Sequence, residues 1–185
     1  MAKQKISGVD DFVQKVTMHV PVTHTDVSRI ERVPTSFSPK DRIAMVIHGV
    51  QYVFLDTTGV LPIPWSTVLT AIDDGFRFGL CFVGVGGDAF VDPSSLGIID
   101  YNLMQAIGAG TPTSYDVKPR DVIKDFSTLP SGGLIAHPSA LYAFVISDDA
   151  AANFKMYTSL LYTYREISDE LYRELWEVLV TARTT

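Results

Sequence analysis

The sequence predicts a mainly β protein, folded as an antiparallel β-sandwich. About eight extended segments rich in β-branched and aromatic residues are separated by clusters of glycine, proline, serine, threonine and aspartate. A stretch with helical periodicity closes the chain. Eight antiparallel strands with long connections favour a sandwich of the jelly-roll type, in which two Greek keys fold together.

The first half of the chain contains four strand predictions. Residues 16–24 and 28–37 alternate along the strand and read as extended segments. Pro21 favours an edge position for the first, and the second is expected to have one solvent-exposed face. Residues 42–56 form a long apolar run whose β-branched and aromatic content favours a strand, with a bulge or bend at Gly49. Residues 76–87 alternate large apolar side chains, which is typical of a core strand.

Two stretches leave the fold class open. Residues 65–75 fit a short helix or a strand, and residues 88–138 combine turn residues with recurring apolar patches. Several strands joined by long loops are expected in the second stretch. The alternative is an α+β domain in which residues 65–73 and 96–107 are true helices.

The last third predicts two buried strands and a helix. The strands are LYAFVIS at 141–147 and KMYTSLLYTYREIS at 155–168, and the helix covers residues 168–182. Ser168 is a suitable N-cap, and the two acidic residues after it favour the positive end of the helix dipole. Leu171 and Leu175 begin an apolar face that Val178 and Leu179 continue.

Length and charge limit the classes of function. A chain of 185 residues predicts one domain, residues 1–185, with an N-terminal arm at 1–15. The net charge of −6 argues against non-specific nucleic-acid binding, because such binding rests on phosphate neutralisation by lysine and arginine. We expect neither a signal peptide nor a transmembrane segment, since no suitable apolar stretch is present.

No catalytic, cofactor or metal site is predicted. Cys81 lies in an apolar run and is expected to be a buried, inert thiol. The four histidines, His19, His24, His48 and His137, lack metal-ligand spacing, and His48 fits a hydrogen-bonded structural role. The glycine-rich stretches 84–90 and 108–112 fit tight turns, with calcium binding at 86–92 as a minor alternative. We therefore expect a protein that is not an enzyme.

The composition instead directs attention to the surface. A positive mean hydropathy of +0.18 and a charged fraction of 19% favour coverage by identical neighbours, although a large core gives the same composition. Tyrosines crowd the strand at 155–168, and tyrosine is enriched at interfaces. The residues predicted to contact neighbouring subunits are Phe12, Tyr157, Tyr162, Tyr164, Leu171, Tyr172, Leu175 and Trp176.

The closing block LIAHPSALYAFVISDDAAANFKMYTSLLYTYREISDELYRELWEV resembles small single jelly-roll viral capsid proteins, as do the bulged strand at 42–56 and the long middle loops. Many such proteins end in a P-x-x-LY strand followed by a strand of the Y-T-Y-x-x-I/L-S kind. The resemblance implies a self-assembling coat subunit, made in the host cytoplasm and located in the virion, whose partners are copies of itself. It leaves open a second capsid protein or an underlying viral membrane.

One departure from that family concerns the genome. Many small capsid proteins have a basic N-terminal arm, whereas here Lys3, Lys5 and Lys15 are interrupted by Asp10 and Asp11. Strong direct nucleic-acid binding is therefore not expected. A shell whose genome lies behind a membrane or another protein fits better.

Two other functions remain open at the level of sequence. One is a carbohydrate-binding β-sandwich that uses Trp65, Tyr101 and Tyr115 as sugar platforms. The other is a cupin-like metal-dependent enzyme, which requires clustered histidines that the spacing does not provide.

Overall fold

The computed structural model describes residues 13–22, 28–32, 42–63, 65–69, 74–81, 98–105, 121–137, 141–148 and 152–184. These residues form nine strands and two helices. In chain order they are β1 Gln14–Val22, β2 Ser28–Arg32, β3 Ile43–Leu55, α1 Trp65–Val68, β4 Gly75–Cys81, β5 Ile98–Gln105, β6 Asp121–Asp125, β7 Leu134–Ala136, β8 Tyr142–Asp148, β9 Phe154–Glu166 and α2 Asp169–Thr184.

The strands form two sheets with jelly-roll connectivity. The first sheet has the order β1-β9-β3-β6, with β7 also paired to β3, and the second has the order β2-β8-β4-β5. All pairings are antiparallel. The pairs β1–β9, β2–β8, β3–β6 and β4–β5 nest inside one another along the chain, as in a long hairpin rolled up on itself. The predicted mainly β, jelly-roll fold class is confirmed.

The predicted bulge in β3 is confirmed and explains the continuous apolar run there. The register between β3 and β9 shifts between Ile47 and Gly49, which leaves His48 as the extra residue. Before the bulge the odd-numbered residues Ile43, Met45 and Ile47 face the core, and after it the even-numbered residues do. One extra residue thus keeps both halves of a 13-residue strand apolar on the same side.

Both sheets contribute to one core between them. Its centre is aromatic: Phe54 lies 5.2 Å from Phe76 and 4.9 Å from Phe78, both edge to face, measured between ring centroids. Phe154 lies 5.0 Å from Phe76, which closes the cluster. All four side chains are essentially inaccessible to solvent, and truncation of such a residue to alanine costs about 3–5 kcal/mol.

The α+β alternative is wrong for the described residues. Residues 98–105, inside one of the two stretches that this alternative makes helical, form strand β5. Side chains alternate along it, with Asn102 and Met104 facing inward and Leu103 facing out. Helix α1 is a single turn of four residues. The first strand begins at Gln14, so the end of the predicted arm belongs to β1. The remainder of the arm, and the ends of the strands predicted at 28–37 and 76–87, lie outside the described residues.

Candidate functional site

The tyrosine-rich strand β9 places two of the predicted contact residues in the core. Tyr162 and Tyr164 are only 7% and 4% exposed, and their rings meet edge to face at 5.2 Å. Burial, followed by the effect of Tyr162, raises the pKa of Tyr164 well above its ordinary value. The placement of these two residues on an exposed face is therefore corrected: they turn inward, and little of their surface is left for a neighbour.

Tyr157 points to the opposite side of β9. Its ring lies 5.7 Å from the imidazole of His19 on β1, and its hydroxyl lies beside Gly59. It is partly exposed, so its prediction as a subunit contact stays a prediction. Phe12 lies outside the described residues.

Helix α2 is capped as predicted and packs on the body of the chain. The Leu171 amide donates to Ser168 Oγ at 3.3 Å, which confirms the N-cap. Tyr172 and Trp176 each lie 5.7 Å from the imidazole of the buried His137, measured between ring centroids. Trp176 nevertheless remains 41% exposed, so the docked helix leaves part of the indole available to a neighbour.

A shallow groove of about 400 Å³ crosses the outer face of the first sheet. One row of paired residues runs from Lys15 on β1 through Leu161 on β9 and Gly49 on β3 to Asp125 on β6. Gly49 has no side chain, so the sheet dips between Leu161 on one side and Ile123 on the other. These two residues are 44% and 70% exposed. The groove therefore has apolar walls, a basic end and an acidic end.

The chain leaves the first sheet through a rigid turn, residues 56–62. Asp56 Oδ1 accepts hydrogen bonds from Thr58 Oγ1 at 2.6 Å, from the Gly59 amide at 3.0 Å and from the Leu61 amide at 3.3 Å. The Asp56 amide donates to the carbonyl of Leu61 at 3.0 Å, and Leu55 pairs with Pro62. The Thr58 hydroxyl and the turn amides hold the pKa of Asp56 below its ordinary 3.8.

The tip of this turn is apolar and solvated. Val60 is 77% exposed and Leu61 is 60% exposed. Gly59 has a φ of +78°, a conformation that glycine adopts without strain. Its ideal Cβ would lie 2.4 Å from Tyr157 Oη, so glycine also lets the turn approach β9 closely. The turn thus holds two large apolar side chains that are mostly exposed to solvent.

A buried ionic cluster joins the two sheets. The side chain of Asp100 on β5 is 5% exposed; it accepts hydrogen bonds from Tyr52 Oη at 2.6 Å and Asn102 Nδ2 at 2.9 Å, and pairs with Lys124 Nζ. Burial, followed by the charge of Asp100, raises the pKa of Tyr52 well above 10. Every described partner of the carboxylate is a donor within the chain, so the cluster is a clamp between β3, β6 and β5.

The expected hydrogen bonding of His48 and the expected burial of Cys81 are confirmed. His48 Nδ1 lies 2.8 Å from the carbonyl of Gly132 and Nε2 lies 2.9 Å from Thr163 Oγ1. A carbonyl only accepts, so Nδ1 carries hydrogen, and in the neutral ring Nε2 accepts from the hydroxyl. Cys81 is buried. Among the residues that the structure describes, no cluster of metal-ligating side chains and no helix able to cross a membrane is found.

The sugar platforms expected at Trp65 and Tyr101 are not loop residues. Trp65 stacks on Phe76 at 5.6 Å with the rings nearly parallel, and its Nε1 is buried, so one face of the indole is already covered. Tyr101 lies within β5. Tyr115, the glycine-rich stretches and the possible calcium loop at 86–92 lie outside the described residues.

Two features of the surface and core were not predicted. Asp100 is a single charge in an apolar run. Its partners Tyr52 and Lys124 lie too far from it along the chain for residue spacing to predict the contact. Val60 and Leu61 follow a turn signal, T-T-G, and an apolar pair directly after such a signal was the available clue.

The strand order and the filled core define a jelly-roll sandwich. Viral proteins are among the solved structures that align with it. The structure of tomato aspermy virus aligns with a TM-score of 0.46 and 15% identity, covering 91% of this chain and 85% of the other. VP1 of trichodysplasia spinulosa-associated polyomavirus, in complex with GM1 oligosaccharide, aligns with a TM-score of 0.46 and 10% identity, covering 84% and 95%.

The same VP1 in complex with 3'-sialyllactose gives a TM-score of 0.44 and 10% identity, covering 84% and 95%. At such identities and TM-scores the alignments carry no function over to this chain, and the sugars in those complexes belong to that protein. No protein-family model matches the sequence. No curated protein matches it either.

Proposed function

We propose that this protein is a structural subunit that assembles with copies of itself into a shell of the viral coat kind. The observation that supports this most is the strand order, β1-β9-β3-β6 over β2-β8-β4-β5. Viral capsid proteins, lectin domains and cupins share that architecture. The choice among them depends on what the interior and the surface of this sandwich offer.

The interior favours a structural subunit over a sandwich that encloses a metal or ligand. The described space between the sheets is filled by the cluster of Phe54, Phe76, Phe78 and Phe154, with centroid separations of 4.9–6.4 Å. A cupin-like function places its metal inside the sandwich, where these rings lie. The Asp100 clamp further locks one side of the sandwich. A rigid block of this kind presents its usable chemistry on the outside.

The outside offers several apolar contacts to neighbours. Large apolar side chains stand 41–77% exposed on the turn, on the groove walls and on helix α2: Val60, Leu61, Ile123, Leu161 and Trp176. The adjacent pair Val60 and Leu61 supports an interaction surface on the turn, because contiguous exposed apolar groups mark interaction sites. Of the residues predicted from sequence, Tyr157, Leu171, Tyr172, Leu175 and Trp176 remain in this proposed contact set, while Tyr162 and Tyr164 belong to the core.

The proposed setting is the virion, with a structural and not a catalytic role. The net charge of −6 supports a shell in which this subunit does not bind the genome strongly. A second capsid protein or an underlying membrane would then separate shell and genome.

The test compares Trp176→Asp, at an exposed ring, with Tyr162→Asp, at a buried ring, by size-exclusion chromatography with light scattering and by circular dichroism. The wild-type chain is expected to elute as particles far larger than its 20.4 kDa monomer. Trp176→Asp is expected to keep the β-sheet spectrum and lose the particles, whereas Tyr162→Asp unfolds because it buries a charge. A wild-type chain that stays monomeric at every concentration would overturn the proposal.

A further inference from the structure

The outer face of the first sheet divides its charges between two strands at opposite ends of the strand order, β1 and β6. Lys15 and His19 project from β1, Asp121 and Asp125 project from β6, and all four are exposed. The strand registers place these residues in two rows that cross all four strands. The first row is Lys15, Leu161, Gly49, Asp125, and the second row is His19, Tyr157, Val53, Asp121. Both rows therefore run from a basic side chain to an acidic one in the same direction.

We propose that two copies of this chain pack face to face through this surface, related by a two-fold axis parallel to the strands and midway between β9 and β3. That axis places β1 of each copy over β6 of the other, and β9 of each copy over β3 of the other. The interface is isologous, because every contact occurs twice. It rests on the proposed function and names one of its subunit contacts.

The charges on the face select this axis. Lys15 of each copy faces Asp125 of the other at matched spacing, because the same row of residues meets itself in reverse order. His19 and Asp121 are paired in the same way, and an imidazole N–H donates to a carboxylate. A two-fold axis across the strands would instead place β1 over β1 and β6 over β6, where like charges meet and repel.

The two carboxylates keep the capacity to accept these contacts. Asp125 Oδ1 accepts from the Ser127 amide at 2.8 Å, and Asp121 Oδ2 accepts from Gln51 Nε2 at 3.3 Å. An ionised carboxylate offers about four acceptor sites on its two oxygens, so one such bond leaves room for a donor from a second copy.

The relief of the face is self-complementary as well. In the first row the groove of about 400 Å³ lies over Gly49, and Leu161, 44% exposed, stands beside it. The axis passes between these two residues, so Leu161 of each copy lies over Gly49 of the other. In the second row Tyr157 of each copy meets Val53 of the other, and both side chains are partly exposed. A projection and a depression on opposite sides of the axis thus fill one another.

The matched patch is small, so the isolated pair is weak. Three strand spacings of about 4.8 Å give it a width of about 15 Å, and four residues from Lys15 to His19 give it a length of about 13 Å. That area is well below the roughly 800 Å² per partner of a stable complex. Repetition of the contact in a shell makes weak contacts collectively strong.

The test reverses one charge in each of two variants. Lys15→Glu and Asp125→Lys each turn both copies of the pair into like-charge pairs, so each variant alone should dimerise about tenfold more weakly than wild type, measured by sedimentation velocity at low salt. Mixed together, the two variants should form one-to-one heterodimers. The new glutamate of one variant then faces the new lysine of the other, and the unchanged Lys15 and Asp125 face each other.

Two controls accompany this measurement. Both substituted residues are exposed, so circular dichroism should show the wild-type spectrum for each variant. Glu174→Lys, an exposed charge reversal on helix α2, should leave the dimer unchanged. Single variants that dimerise as well as wild type, or a mixture that does not dimerise, would overturn the inference.

A cross-linking arm separates this inference from the proposed function. Chains with Lys15→Cys and with Asp125→Cys carry different tags and are mixed with a short bis-maleimide; the native Cys81 is buried. Cross-links between the two kinds of chain are expected even where no particle forms, and cross-links confined to Lys15→Cys chains would reject the axis. Wild-type particles without the mixed cross-link would reject this contact and leave the shell proposal standing. Mixed cross-links and dimers without particles would support the contact and contradict the shell.

Discussion

The Asp100–Lys124 pair fixes how firmly the two sheets hold together, and a double-mutant cycle measures it. The carboxylate is 5% exposed and the lysine is 32% exposed, so the two partners respond differently to loss of the other. Lys124→Met strands a buried carboxylate, which costs about 3–5 kcal/mol in comparable pairs. Tyr52 and Asn102 still donate to Asp100, so we expect a cost near the lower end, about 3 kcal/mol.

The reverse change is expected to cost less. In Asp100→Asn the freed lysine reaches water, and the amide oxygen still accepts from Tyr52, so we expect a loss of about 1–2 kcal/mol. The double variant removes both charges at once. Its cost should fall short of the summed single costs by about 1–2 kcal/mol, as for other residues in direct contact.

The assay is urea unfolding at a concentration where the chain is monomeric, because assembly would otherwise add to stability. Asp121→Asn, an exposed change on the same strand β6, is the matched control and should stay within about 0.5 kcal/mol of wild type. Additive single costs, or a larger loss for Asp100→Asn than for Lys124→Met, would refute the clamp.

Four further predictions follow from individual contacts. Gly132→Ala should lower the free energy of unfolding by about 1 kcal/mol, because alanine is strained at a φ of +73°. Gly59→Ala should lower it more, because the added Cβ also meets Tyr157 Oη. Equal midpoints of the two variants in urea unfolding would contradict this. Ser168→Ala should cost about 1 kcal/mol and speed amide exchange at the start of α2, and unchanged exchange would reject the cap. The raised pKa of Tyr52 means that its contribution to the free energy of unfolding is complete below about pH 10 and is lost as the pH rises further, because the unfolded chain ionises first. Tyr52→Phe should flatten that alkaline loss of stability, measured by urea unfolding at a series of pH values. The lowered pKa of Asp56 means that the turn is stabilised above about pH 3.8 and loosens as pH falls further, so amide exchange at Gly59 and Leu61 should rise in acid, and Asp56→Asn should abolish that rise.

Much of the fold could be predicted because one pattern, apolar alternation, dominates it. The bulge was predictable from Gly49 in a run too long for simple alternation, and the structure shows why: His48 is inserted and the inward parity changes. Strand β5 was ambiguous because Ile98, Ile99 and Asp100 break the alternation. The register of β4 against β5 shifts at that point, and no local signal reveals such a shift.

The surface could be predicted less well, since exposure depends on the partner strand. Tyrosine content suggested that β9 offers a contact face, but parity alone does not state which side of a strand is inward. Pairing with β3 and β1 turns Tyr162 and Tyr164 to the core and leaves Leu161 outside. Gly79 illustrates the same dependence: a Cβ there would lie 1.8 Å from the carbonyl oxygen of Asp100, a constraint that exists only once β4 and β5 are paired.

Electron microscopy of the purified wild-type chain tests the central claim most directly. A coat subunit that assembles with itself is expected to give closed particles of uniform diameter. Fields that show only dispersed 20.4 kDa monomers, at the highest concentration reached and across salt conditions, would contradict it.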